Sequence, residues 1–167
     1  MRRKIVAGNW KMNKTITEGL SLIEAIKTGA PKVQKAGVDI IVAPTYVMLS
    51  DAAKAVNGSS IKLAAQNCHQ EESGAYTGEI SATMIQAIGA EYIIIGHSER
   101  RQTHHEVDEL VKKWFAGVLG VELLGSISSE ASLLATYNRE TAFSDAVANV
   151  LGIGLRIRLD HTKRTLW

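Results

Sequence analysis

Short apolar runs alternate along the chain with longer segments whose apolar residues recur every three or four positions, the pattern of strands joined by crossover helices around a parallel sheet. Residues 4–7, 38–43, 61–66 and 92–95 read as buried strands of an α/β fold. They are expected to be adjacent and parallel in that order, because every connection between them is long enough for a helix to cross back. After the first strand, Leu20, Ile23 and Ile26, with Leu22 beside them, lay out the helix face that covers the sheet. Pro44 stops the second strand, and a helix is predicted over about 47–56. Residues 67–78 are polar and contain glycine, so their backbone groups need solvent and the segment projects. Ser81 is the expected N-cap of a short helix ending near Gly89.

The fourth strand carries the densest chemistry. Ile93, Ile94 and Ile95 run into Gly96 and then into His97, Ser98, Glu99, Arg100 and Arg101, so a buried strand delivers five polar side chains to its C-terminal end. A plain solvated loop, with Arg100 and Arg101 paired to Glu99, fits the same pattern. Further on, Val107, Leu110, Val111, Trp114, Phe115 and Val118 predict an apolar helix face over 106–119. A strand over 121–127 and a helix over about 130–151, with a break near Asn138 and Thr141, follow. In the last strand Leu155, Ile157 and Leu159 alternate with Arg156, Arg158 and Asp160, a period of two that suits an edge or half-exposed position.

Composition narrows the choice of function. A formal charge of +2, with the basic residues scattered, gives no footprint for nucleic acid. No apolar run approaches the about 18 residues of a membrane span, and residues 1–3 lead straight into a strand without a signal-peptide core, so the expectation is a soluble cytoplasmic protein, one domain over residues 1–167. A single cysteine, Cys68, rules out an internal disulfide framework and suits a small packed residue better than a nucleophile. His104 and His105 lack a third ligand at suitable spacing, so they read as solvated residues at a helix start, and no metal is expected.

Four motifs together resemble triosephosphate isomerase. They are Asn9-Trp10-Lys11 after the first strand, Val42-Ala43-Pro44 after the second, Ala65-Gln66-Asn67 with Gly74-Ala75-Tyr76-Thr77-Gly78 after the third, and Gly96-His97-Ser98-Glu99-Arg100-Arg101 after the fourth. The resemblance runs from the start to about residue 115 and thins beyond it. It implies an incomplete TIM barrel of about six parallel strands, where the closed barrel has eight. It also implies interconversion of glyceraldehyde 3-phosphate and dihydroxyacetone phosphate through an enediolate, a step of glycolysis and gluconeogenesis that uses no cofactor. His97 would be the electrophile, and Lys11 the cation facing the oxyanion and the phosphate of a small phosphorylated triose. Asn9 would hold a substrate oxygen, supported by Ser98 and Glu99 one layer back. These side chains are expected to converge on one phosphate-like anion.

The same resemblance implies that Tyr76, Thr77 and Gly78 reach into a second subunit of a homo-oligomer. The family's base, a glutamate followed by a proline, a tryptophan and a glycine-rich lid, has no match in this sequence, and neither have its last two βα units. By counting units, Asp160 takes the base's place, although pairing with Arg156 or Arg158 suits it better. Three readings stay open: a shortened isomerase of weak activity, a non-catalytic oligomeric protein for binding or assembly, and a truncated product of a longer gene.

Overall fold

The computed structural model describes residues 4–107, 109–111 and 113, together with the backbone of residues 132–136, 146–150 and 153–157. The chain divides into two units, Met1–Gln66 with Ile85–Tyr92, and Asn67–Met84 with Ile93–Trp167.

In the first unit, strands β1 (Lys4–Asn9), β2 (Val38–Ala43) and β3 (Ile61–Ala65) are parallel neighbours. Their registers run from Lys4 opposite Val38 to Asn9 opposite Ala43, and from Ile40 opposite Ile61 to Val42 opposite Leu63. The expected order and direction hold for these three. Helices α1 (Ile16–Lys35) and α2 (Tyr46–Val56) make the crossovers. Thr15 starts α1 with a reciprocal cap: its hydroxyl accepts from the Glu18 backbone N–H at 3.4 Å, while the Glu18 carboxylate accepts from the Thr15 N–H at 2.8 Å. Those bonds from Thr15 hold the Glu18 carboxyl below its usual range. Of the predicted α1 face, Ile23 is fully buried, while Leu20, Leu22 and Ile26 are half-buried.

Ile40, Ile41, Val42, Ile61 and Leu63 are buried in the sheet, and α2 lays Met48, Leu49, Ala52 and Val56 along one buried stripe. Full burial of a side chain the size of Ile41 or Leu63 contributes about 1.5–3 kcal/mol, so this three-strand layer anchors the unit. Strand β1 differs, with Val6 59 % exposed.

Helix α3 (Ala82–Ile88) leads to β4 (Tyr92–Ile95), whose Ile93, Ile94 and Ile95 are buried as expected, and then to α4 (Ser98–Thr103). Ser81 accepts from the Met84 N–H at 3.3 Å, which bears out its predicted capping role. Residues 109–111 and 113 are helical, with Val111 fully buried. Val107 lies ahead of that helix and is exposed, not part of its apolar face.

Beyond residue 115 the described strands depart from the expected helix, although the strand expected through Leu155 and Ile157 is present. The strand predicted over 121–127 lies outside the described residues. Where a helix was expected over 130–151, the chain forms β5 (Ser132–Thr136) and β6 (Ala146–Val150), followed by β7 (Ile153–Ile157). These strands pair antiparallel, Leu133 opposite Ala148 and Val150 opposite Ile153, so the expectation of about six parallel strands is not met. Two residues, Leu151 and Gly152, separate β6 from β7, a length that permits a hairpin and forbids a crossover. Val147, Val150, Ile153 and Ile157 are β-branched, and their preference for extended backbone outweighs the helical spacing of the leucines.

Candidate functional site

The first cluster sits where β1 ends. Asn9 is the last residue of that strand, and its side-chain oxygen accepts from the Lys11 N–H at 3.0 Å. The amide nitrogen of Asn9 is thereby left as the end available to an incoming oxygen. Lys11 is exposed and holds φ at +52°, a left-handed conformation that non-glycine residues seldom adopt. Between them Trp10 is buried; its backbone N–H donates to the Ala43 carbonyl at 3.1 Å, and its backbone carbonyl accepts from the Asn13 side-chain amide at 2.9 Å. The Gln66 amide donates to the carbonyls of both Lys11, at 3.0 Å, and Ala43, at 2.9 Å. Sequence reasoning placed Gln66 at the end of a strand and in the Ala65-Gln66-Asn67 motif, without its bridging role.

The second cluster belongs to the other unit. Gly96 turns the chain with φ at +64°, and a Cβ there would lie 3.1 Å from Val111 and 3.3 Å from the Arg101 guanidinium, so only glycine fits without displacement. His97 caps α4, its Nδ1 accepting from the Glu99 N–H at 3.2 Å. An Nδ1 that accepts carries no hydrogen, so the proton of the neutral ring sits on Nε2, where it can be donated. The Glu99 carboxylate stands 3.7 Å from the same Nδ1, and Ser98 is the exposed first residue of the helix.

Arg100 pairs with Glu106 at 2.5 Å, and Arg101 donates to the Gly96 carbonyl at 2.9 Å. Glu106 is 4 % exposed and has one carboxylate oxygen buried without a hydrogen-bond partner among the described residues. It carried no distinguishing signal in the sequence, being one acidic residue near a helix start. Cys68 is buried, and burial first, then the Glu106 charge, pushes its thiol up to about 12. That thiol stays protonated and inert at neutral pH, in keeping with a packing role.

Residues 71–79, including Tyr76, Thr77 and Gly78, are all exposed. The base of this loop is closed by His69, whose N–H donates to the Ile80 carbonyl at 2.8 Å and which bridges to Ser81. Tyr76 lies against the His69 ring, centroids 4.2 Å apart. Thus the structure brings Asn9 together with Lys11 in one unit, and His97 with Ser98 and Glu99 in the other; Asp160 lies outside the described residues. Among the described residues no three metal-ligating side chains gather, and no helix is long and apolar enough to cross a membrane.

The sequence model of the family described as triosephosphate isomerase matches residues 4–127. Triosephosphate isomerases from Clostridium beijerinckii and from Clostridium botulinum strain Loch Maree are 52 % and 55 % identical over 113 residues, and that from Alkaliphilus oremlandii is 53 % identical over the same length. Each match covers 68 % of this chain and 44 % of the relative, so the chain spans less than half the length of these curated relatives. The crystal structure of triosephosphate isomerase from Bartonella henselae aligns with a TM-score of 0.64 at 39 % identity, over 70 % of this chain and 47 % of that one. With the Asn9 and Lys11 turn, the His97 cap and a family match over most of its length, the chain belongs to the triosephosphate isomerase family.

Proposed function

We propose that the chain binds a small phosphorylated triose and interconverts glyceraldehyde 3-phosphate and dihydroxyacetone phosphate through an enediolate, at low turnover. The observation that carries this reading is the His97 cap. With Nδ1 occupied by the Glu99 N–H, the Nε2 hydrogen of a neutral ring is presented as a donor, the state in which this family's histidine polarises a carbonyl and moves a proton between neighbouring oxygens. Lys11 supplies fixed positive charge for the developing oxyanion and the phosphate, and the Asn9 amide donates to a substrate oxygen. Ser98 and Glu99 hold the start of α4, and so the ring, in place.

Asp160 is the base that removes the carbon-bound proton. An aspartate is one methylene shorter than the family's glutamate, which retracts the carboxylate by about 1 Å, and a displacement of that size costs about a hundredfold in rate. Tyr76, Thr77 and Gly78 contact a second copy, making the working species a homo-oligomer.

The test is isomerisation of glyceraldehyde 3-phosphate by purified protein alongside its His97→Ala variant. Slow turnover that disappears in the variant supports the proposal, whereas equal rates in both mean a contaminating isomerase and sink it. Light scattering tests assembly: a mass above the 18.1 kDa of one chain is expected, and a stable monomer refutes it. The antiparallel pairing of β5, β6 and β7 favours a second reading, a non-catalytic oligomeric binding or assembly protein, or a truncated product, descended from an isomerase. Phosphate binding with no turnover would select that reading.

A further inference from the structure

We propose that the open edge of β1, with the flank of α1 beside it, is an interface that pairs antiparallel with the same strand and helix of a second copy of the chain. β1 stands at one end of the strand order, and among the described residues it pairs with β2 alone. The Trp10 N–H donates to the Ala43 carbonyl, on the β2 side. Backbone groups alternate in direction along a strand, so Gly8 and Val6 also face β2, while Ile5, Ala7 and Asn9 turn their N–H and carbonyl groups outward. Such a row is a template for another strand. Side chains do not shield it: Val6 is 59 % exposed, and Ala7 and Gly8 are exposed as well.

α1 is open on the same side. Lys27 and Gln34 donate to the Ala55 and Ser60 carbonyls, which marks the flank of α1 that faces α2 and β3. The opposite flank carries Leu22, Ile26, Gly29 and Val33 at helical spacing. Val33 is exposed, and a Cβ at Gly29 would meet nothing within 4 Å. At its upper end lies a groove of about 510 Å³ lined by Trp10, Asn13, Lys14, Glu18 and Leu22, and Trp10, directly after β1, places this flank on the β1 side.

A second copy fits this surface by symmetry and by charge. A two-fold axis at Ala7 pairs the outward groups of Ile5 with those of Asn9 and sets Val6 over Gly8, a large residue against a small one, with the two Lys4 side chains at opposite ends. The two α1 helices then lie antiparallel on one side of the joined sheet. With Ala25 at their crossing, Glu18 in the first turn of one helix meets Lys32 in the last turn of the other, each seven residues from Ala25. A flank about 30 Å long and about 20 Å deep buries about 600 Å² on each copy, or about 1,200 Å² in all, the lower end of stable specific interfaces. β1 and α1 belong to the unit without Tyr76, so this contact is separate from the loop contact proposed above.

The experiment is sedimentation of the native chain, Val6→Lys, Ala7→Pro and Tyr76→Ala, with disulfide trapping of Ala7→Cys. Lysine guards an edge against pairing, and proline at position 7 removes an outward N–H while leaving those that face β2. The native chain and Tyr76→Ala are expected to assemble beyond the 18.1 kDa of one chain, and the two edge variants to associate at least about tenfold more weakly with unchanged circular dichroism. Residues that exchange both bonds across an antiparallel pair have Cα atoms about 5.5 Å apart, so Ala7→Cys should cross-link on mild oxidation. The buried native Cys68 does not compete, and Lys54→Cys, exposed on α2, should stay single. If neither edge variant folds, trapping of Ala7→Cys decides. Undiminished assembly of a folded Val6→Lys overturns the proposal, and dissociation by Tyr76→Ala alone leaves only the loop contact standing. A monomeric native chain overturns it too: slow hydrogen exchange at the Ala7 amide would then mean that a segment of the same chain covers the edge, and fast exchange that nothing does.

Discussion

The turn that carries Lys11 and the turn that carries His97 both follow the end of a strand, yet they are held by different means. His97 is fixed almost entirely by its near neighbours. The Glu99 N–H lies two residues away, the Arg101 N–H donates to the His97 carbonyl four residues on, and the Arg101 side chain reaches back five residues to Gly96. The Lys11 turn depends on distant parts of the chain, the Ala43 carbonyl and the Gln66 amide. A site built from local bonds keeps its shape whenever its own helix forms, whereas one built from distant bonds reports on the whole sheet beneath it.

The sharpest way to break this contrast is to attack the buried Glu106 carboxylate paired with Arg100 of α4. Arg100→Ala leaves the Glu106 carboxylate unpaired while almost fully buried, and should cost about 3–5 kcal/mol. Urea unfolding followed by circular dichroism measures it, and a loss below about 1 kcal/mol would show that Glu106 is neutral or solvated. Next in size is Gly19→Ala. A Cβ at Gly19 would overlap the end of the buried Met48 side chain and come within 2.8 Å of the Trp10 ring, so overpacking of about 1–3 kcal/mol outweighs the gain of about 1 kcal/mol in helix propensity. Because Trp10 precedes Lys11, its fluorescence should shift in this variant, while resonances of the His97 turn stay in place.

Lys14→Gly runs the other way. Lys14 holds φ at +76°, and glycine relieves strain of about 1–2 kcal/mol at the expense of a more flexible unfolded chain, for a net gain of about 0.5 kcal/mol in thermal unfolding. The smallest effect belongs to Glu18. Its folded pKa is depressed, so its contribution is fully present above the ordinary carboxylate range and is lost as pH falls through the lower folded value. Glu18→Gln should therefore lower the Tm slightly at pH 7, and the gap between the two proteins should close in acid.

Legibility in the sequence followed the same line between local and distant. The first four strands, the Thr15-independent face of α1 around Ile23, the Ser81 cap and the exposed loop around Tyr76 could all be read, because periodicity, turn residues and caps act over a few positions. The partners of Arg100 and Gln66 could not. Nothing in Arg100 distinguishes Glu106 from the adjacent Glu99, and Gln66 becomes a bridge only after three strands line up. Beyond residue 115 the mistake lay in the period itself. Leu133, Leu134, Val147 and Val150 fit a helix face, while the β-branched Val147, Val150, Ile153 and Ile157 favour the extended backbone that forms.

The closed base of the loop at residues 71–79 has a practical meaning for engineering. Because His69 ties to Ile80 and Ser81, the segment above that clasp can be lengthened without pulling on the ends of β3 or α3. A peptide tag grafted beside Gly74, where φ of +134° already makes an open bend, would ride on an intact protein. Such a graft offers a handle for immobilisation on the exposed surface that carries Tyr76 and Thr77. Tethering the molecule there would leave the chain folded.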